Sequence, residues 1–217
     1  MRRILLIGRT TIAKIVIDIA KLCLNNYEFS FKGFIDDSQA LHGTLFCGLP
    51  VLGAFNEIDS IAADYDINTA VICIGHNHMD VRARYFEACQ DKGFIMERFV
   101  HPSASIARGA SIGAGFVAGA NTVVNPDAVV GENVLLWSGS VIEHDCRIGA
   151  HSYVSPGVTL AGGVRLGEFS FIGSGATVLP EVNIGSRAIV GAGSVVTRDV
   201  PEATLSYGVP ARVVRKL

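Results

Sequence analysis

The sequence predicts a two-part chain: a small Rossmann-like α/β domain over residues 1–99, then an all-β parallel β-helix over residues 100–217. Three observations carry this. From Val100 to Val196 every sixth residue is apolar. The series Val100, Ile106, Ile112, Ala118, Val124, Val130, Leu136, Ile142, Ile148, Val154, Leu160, Leu166, Ile172, Val178, Ile184, Val190, Val196 fills seventeen positions, sixteen of them with Val, Ile or Leu. A period of six is neither the 3.6 of a helix nor the 2 of an ordinary strand. It is the hexapeptide beat of a solenoid whose coils stack and bury a shared axial core. Second, Gly113, Gly131, Gly149, Gly167 and Gly185 recur every eighteen residues, one turn of a three-sided prism. A glycine at that corner either relieves crowding or permits positive φ. Third, the beat is absent before Val100, where strand-like runs alternate with helix-like ones, the signature of a small parallel sheet.

Taken in order, residues 3–7 form a first buried strand, and residues 10–24 a helix marked by Ile12, Ile15, Val16, Ile19 and Ala20. Residues 31–35 form a second strand that ends at Asp36 and Asp37. Gly48, Leu49 and Pro50 read as a turn before a helix over 54–63. A third strand over 69–74 ends at Gly75; a helix over 79–92 then leads through Gly93 to a strand over 95–100. His101 and Pro102 punctuate the passage into the solenoid. There, the residue two before each apolar corner is mostly small or β-branched (Ala104, Ala128, Ser140, Ser152, Ala176, Ala188 among them), which suits a narrow interior.

Composition narrows the function. The 217 residues carry a net charge of −2, no basic run and only 18% charged residues, so nucleic acid and anionic membrane are poor partners. The opening MRRILLIGRTTIAKIVIDIAKL has too short an apolar run before a break and charges at Lys14, Asp18 and Lys21. It reads as strand and helix rather than export signal or membrane anchor. Five scattered cysteines without a CxxC favour a reducing cytoplasm and no structural zinc. A mean hydropathy of +0.40 implies apolar surface beyond what one short prism buries, and with it self-association.

A solenoid is a scaffold, so chemistry is sought where residues break its pattern. Among six histidines, His144 lies mid-solenoid beside Asp145, in Ile142-Glu143-His144-Asp145-Cys146. An imidazole takes a proton near neutrality, and a neighbouring carboxylate orients it and raises its basicity. Cys146 occupies an inward position and reads as a packed thiol; His151 reads as solvent-facing, and His101 as a hinge residue before Pro102. In the first domain, ligands of such sheets bind beyond the carboxyl ends of the strands. That rim holds Gly8, Asp36, Asp37 and Gly75, with His76 and His78 nearby. The segment Gly8-Arg9-Thr10-Thr11-Ile12 has one glycine where a dinucleotide fingerprint needs three, which disfavours a Rossmann oxidoreductase.

Phe34-Ile35-Asp36-Asp37, the glycine after the third strand, Glu143-His144-Asp145-Cys146-Arg147-Ile148-Gly149 within hexads, and the C-terminal Gly208-Val209-Pro210-Ala211-Arg212 together resemble the bacterial sugar acyltransferases. These include the sialic acid O-acetyltransferases and the UDP-4-amino-sugar N-acetyltransferases of bacillosamine biosynthesis. The resemblance covers essentially the whole chain. It implies a left-handed β-helix, a homotrimer, acetyl-CoA as donor, no metal, and a nucleotide-linked amino sugar held by the N-terminal domain, with UDP first and GDP or dTDP as alternatives. By the same resemblance His144 is the catalytic base with Asp145 its carboxylate neighbour. Gly162, Ser174 and Ala192 correspond to contacts with the CoA arm; Gly8, Thr10, Thr11, Ile12, Asp36, Asp37 and Gly75 correspond to contacts with the sugar nucleotide. The chain departs from the family in three places. The first loop lacks the usual glycine-rich run. Trp137 replaces an asparagine common seven residues before the histidine, close to the acceptor. Tyr153 stands where many relatives carry a second histidine that contacts the cofactor. The implied reaction is acetyl transfer to a sugar amine, with O-acetylation of a sugar hydroxyl and a non-catalytic trimeric binding module as alternatives.

Overall fold

The computed structural model describes residues 2–23 and 29–217, so Leu24, the predicted end of the first helix, lies outside the described residues. The chain divides into two compact units, Met1–Phe99 and Val100–Leu217.

In the first unit the elements are β1 (Arg2–Ile7), α1 (Thr11–Cys23), β2 (Phe29–Ile35), β3 (Leu45–Phe46), β4 (Leu49–Gly53), α2 (Ile58–Tyr65), β5 (Thr69–Ile72), α3 (Met79–Asp91) and β6 (Ile95–Met96). They form one sheet in the order β3-β4-β2-β1-β5-β6, parallel except for the β3–β4 pair. β1 is central, and Ile4, Leu5, Leu6 and Ile7 are all fully buried, as a strand covered on both faces requires. α1 buries Ile12, Ala13, Val16, Ile17, Ile19 and Ala20; Ile15, counted on the apolar face from sequence, is exposed, and Ile17 takes its place.

Three boundaries differ from the sequence reading. Leu49 and Pro50 are strand residues: the turn is Cys47-Gly48, both at positive φ (51° and 78°), and it joins β3 to β4 as a two-residue hairpin. The helix over 54–63 opens as a 3-10 turn, Phe55–Glu57, before α2 begins at Ile58. The run over 95–100 is two strands, because Glu97 and Arg98 interrupt it.

The second unit is a parallel β-helix of two-residue strands. One face stacks Val117–Ala118, Leu135–Leu136, Tyr153–Val154, Phe171–Ile172 and Ile189–Val190, and the C-terminal hairpin of Thr204–Gly208 and Ala211–Lys216 extends it. A second face runs from Ser105–Ile106 through Val141–Ile142 and Thr159–Leu160 to Val195–Val196. A third runs from Ser111–Ile112 through Arg147–Ile148 and Arg165–Leu166 to Asn183–Ile184. Partners across each rung are eighteen residues apart, as in Val141↔Thr159 and Arg147↔Arg165. The second residue of each strand points inward, and from Ala118 to Val196 all fourteen apolar corner residues are buried in one axial core. Val100, Ile106 and Ile112, in the first coil, are only partly covered. Each fully buried Val, Ile or Leu contributes about 1.5–3 kcal/mol of transfer free energy, so the core is held coil by coil.

The eighteen-residue glycines answer to crowding, not to φ. None has positive φ, and a Cβ on Gly113, Gly149, Gly167 or Gly185 would lie 2.4–2.5 Å from a backbone nitrogen of the next coil. Among the described residues no helix is long and apolar enough to cross a membrane.

Candidate active site

His144 sits in the turn between Val141–Ile142 and Arg147–Ile148, on the prism edge where the second face meets the third. Asp145 follows at φ +62°, a left-handed corner that turns its carboxylate back onto the imidazole. Asp145 Oδ2 lies 2.8 Å from His144 Nδ1. A carboxylate only accepts, so Nδ1 carries a proton, and in the neutral imidazole Nε2 holds the lone pair. Asp145, mainly through this hydrogen bond, raises the His144 pKa above the usual imidazole value. Both side chains are about two-thirds exposed, 64% and 66%, so the imidazole is open to solvent.

One coil further along the same edge, Gly162 lies directly under the ring. A Cβ there would be 2.7 Å from His144 Cε1 and 2.8 Å from Nε2, so only glycine lets the imidazole rest in this position. Gly163 donates its N–H to the His144 carbonyl at 2.9 Å and fixes the turn from below. The pocket at this edge, about 410 Å³, is lined by His144, Asp145, Gly162, Gly163, Pro180 and Glu181. Pro180 and Glu181 escaped the sequence reading: His144, Gly162 and Pro180 are spaced by one coil of eighteen, but the spacing alone gives no side-chain direction.

Cys146 is fully buried, with Sγ 3.2 Å from the Ala161 carbonyl, and burial pushes its thiol pKa up. It is a packing residue, as read from sequence. His151 is not solvent-facing as expected. It is 7% exposed, because the same eighteen-residue register places Asn133 Nδ2 3.0 Å from its Nδ1 and the Phe169 ring 4.8 Å from its own. His101 accepts from the Ser103 amide at 3.1 Å through Nδ1, which ties the first turn of the solenoid.

The other predicted solenoid residues lie elsewhere on the prism. Ser174 and Ala192 are exposed on the edge between the first and second faces. Tyr153 stands on the first face, stacked on Phe171 with centroids 5.6 Å apart and 5.8 Å from Trp137. Trp137 is 4% exposed, and its indole Nε1 has no hydrogen-bond partner among the described residues. Within one chain, then, His144, Asp145 and Gly162 come together, while Trp137, Tyr153, Ser174 and Ala192 belong to another face and edge.

On the sheet rim, Gly8 has φ +96°, and a Cβ would meet Ile74 Cγ1 at 2.7 Å, so glycine is required by the turn itself. Thr10 caps α1: its hydroxyl donates to the Cys73 carbonyl at 2.6 Å and accepts from the Ile12 amide at 3.1 Å. Thr11 is exposed at the first helical position, and the Ile12 side chain is buried, leaving only its backbone to a ligand. Asp36 accepts from the Arg9 amide (3.2 Å) and the Ser38 amide (3.0 Å). Asp37 accepts from the Phe55 amide at 2.9 Å and from the Tyr85 hydroxyl. Gly75 opens the 3-10 turn His76–His78, and partial burial lowers the His76 pKa.

Known proteins match this architecture along its full length. Residues 3–89 match the PglD N-terminal domain, and three segments spanning 109–144, 127–162 and 163–198 match the bacterial transferase hexapeptide. PerB from Caulobacter crescentus, solved in complex with CoA and GDP-perosamine, is 32% identical over 99% of this chain and 98% of its own, with a TM-score of 0.90. The acetyltransferase domain of PglB from Neisseria gonorrhoeae is 28% identical over 99% of this chain and 100% of its own, TM-score 0.88. WeeI from Acinetobacter baumannii is 27% identical over 99% and 100%, TM-score 0.86. No curated protein matches the sequence. The chain belongs to the bacterial hexapeptide-repeat transferases that carry a PglD-type N-terminal domain.

Proposed function

We propose that this protein transfers the acetyl group of acetyl-CoA to the amino group of a nucleotide-linked amino sugar, with His144 as general base. The observation that carries the reading is the His144–Asp145 pair seated on Gly162 in an open pocket, with Nδ1 engaged by Asp145 and Nε2 left as the basic nitrogen of the neutral ring. Support comes from the relatives: PerB holds CoA and GDP-perosamine, and the PglB domain has been solved with acetyl coenzyme A. The nucleotide in PerB is GDP, whereas the resemblance alone put UDP first.

The sugar nitrogen is an ammonium in bulk water, so it first gives one proton to solvent and reacts as the neutral amine. His144 Nε2 takes the second proton as the amine nitrogen attacks the thioester carbonyl, and Asp145 stabilises the imidazolium that results. Collapse of the tetrahedral oxyanion forms the amide, breaks the C–S bond and returns the proton from His144 to the departing CoA sulfur. No covalent enzyme intermediate is needed, since Cys146 is buried as a thiol. In this reading the solenoid holds the CoA arm, and the N-terminal domain holds the sugar nucleotide.

The placement of the predicted CoA contacts favours a trimer. His144 and the Ser174–Ala192 pair lie on different edges of one prism, so a site using both is built from edges of two copies. Light scattering is expected to give a trimeric mass.

The test of the reading is His144→Ala. Its kcat is expected to fall about 10²–10⁴-fold, with the thermal melt and CoA affinity retained. Crystal structures of the Caulobacter enzyme with one histidine replaced by Asn or Ala still hold CoA and GDP-perosamine, which is the binding behaviour expected here. A folded, CoA-binding His144→Ala protein with near-native turnover of a nucleotide amino sugar contradicts the assignment.

A further inference from the structure

The loop after β1 lacks the glycines that usually bring backbone amides up to a phosphate, and two cations stand beside it instead. The Arg9 guanidinium lies 4.9 Å from the centroid of the Phe46 ring, and Lys14 Nζ lies 5.4 Å from the same centroid. Phe46, in the β3–β4 hairpin, is itself braced edge-on by the buried Phe34 at 5.5 Å. Neither cation makes an ion pair among the described residues. The Arg9 Nε is shielded from solvent and has no hydrogen-bond partner there. Asp36, bonded to the Arg9 backbone, directs Oδ2 to that amide and Oδ1 to the Ser38 amide rather than to the guanidinium.

Two like charges gathered on one ring repel each other, and the ring attracts each only weakly where the site is open to water. A compensating anion is the missing partner. Its position, at the carboxyl end of β1 beside Gly8, is where sheets of this kind receive ligands. A guanidinium fork and an ammonium are the donors that suit phosphate oxygens, the first in bidentate fashion and the second as a point charge.

We propose that Arg9 and Lys14, set by Phe46, form a cationic clamp for the diphosphate of the sugar nucleotide, substituting side-chain charge for the missing glycine-rich backbone cradle. This rests on the reading that the N-terminal domain binds a nucleoside-diphosphate sugar. The clamp grips the part common to every nucleoside-diphosphate sugar, so it sets affinity while leaving the choice of base and sugar to other contacts.

The test is calorimetric titration of the full chain with GDP and UDP, and with guanosine and uridine as phosphate-free controls. Arg9→Gln and Lys14→Gln are each expected to raise the Kd for whichever diphosphate the native protein binds by about tenfold to a hundredfold. Any nucleoside affinity and the KM for acetyl-CoA should stay unchanged, and Arg9→Lys should recover part of the loss. Lys14 is exposed, so its variant keeps the test sound should Arg9→Gln fold poorly. Native binding of a diphosphate that both folded variants reproduce overturns the clamp alone. A native protein that binds neither diphosphate, and acetylates no nucleotide sugar, overturns the underlying reading.

Discussion

The Gly8 rim of the sheet and the His144 edge of the solenoid both place polar residues just beyond short strands, yet they use them in opposite ways. On the rim the side chains are turned inward to the fold. Thr10 caps α1, Asp36 ties the β1 turn to the end of β2, and Asp37 fastens Phe55 and Tyr85. These bonds leave over the backbone, the exposed Thr11 and two cations, Arg9 and Lys14, that make no ion pair among the described residues. On the solenoid edge the backbone is already paired coil to coil, and His144, next to the left-handed corner at Asp145, stays open. The sheet rim is therefore held in shape by its own polar groups, whereas the solenoid edge carries an open imidazole on a regular ladder of coils.

That contrast can be sharpened by substitutions that touch one function at a time. The largest effect is expected at Gly162. Alanine there fits the backbone but puts its Cβ against the imidazole, and displacement of a catalytic group by about 1 Å lowers rate by roughly 10²-fold. Gly162→Ala should therefore lose most of its kcat with an unchanged melt. Normal turnover would mean that the ring does not rest on Gly162 during reaction.

Next in size are the glycines that space the coils. Gly167→Ala places a Cβ 2.4 Å from the Ser186 nitrogen and should cost about 1–3 kcal/mol. Gly175 has open space around it but φ +68°, so Gly175→Ala should cost only about 1 kcal/mol, as backbone strain. Denaturant titrations giving the reverse order would show that φ, not coil contact, governs these corners.

The smallest effect belongs to the rim. Asp37→Asn weakens the acceptor for Tyr85 but can still accept from the Phe55 amide, so a loss of about 1 kcal/mol is expected. The same variant combined with Tyr85→Phe should be less than additive, because both remove one bond. Full additivity would mean that the Asp37–Tyr85 contact contributes nothing in solution.

The solenoid was legible because its signal repeats: an error at one hexad is corrected by the next, and the inward series Ala118 to Val196 is buried as the six-residue beat requires. The sheet gave one chance per element. The Cys47-Gly48 hairpin was hidden because Pro50 suggested a turn, although a two-residue turn ending in glycine was the better signal. His151 was misplaced by treating it as an isolated polar residue; stacking the sequence in eighteens sets it between Asn133 and Phe169, which bury it. His144 and Asp145 stood out by chemistry alone. That Gly162 supports the ring, and that Pro180 and Glu181 wall the pocket, follows from the same eighteen-residue register only once side-chain directions are known. Arg9 and Lys14 meet at Phe46 across a hairpin that the sequence reading did not contain, so no local pattern could join them.

The central claim is that a neutral His144, its basicity raised by Asp145, takes the proton from an amine acceptor. The pH dependence of kcat/KM tests it most directly, compared between the native protein and Asp145→Asn with the same nucleotide amino sugar. The native profile should rise with pH through a midpoint above the ordinary imidazole value, since the base works only when unprotonated and Asp145 favours the protonated form. In Asp145→Asn the rising limb should move to lower pH while the plateau falls by roughly tenfold, the base remaining but less well oriented. Any titration of the acceptor amine is common to both proteins and cancels in the comparison. A limb that holds the same midpoint in both proteins would contradict the account.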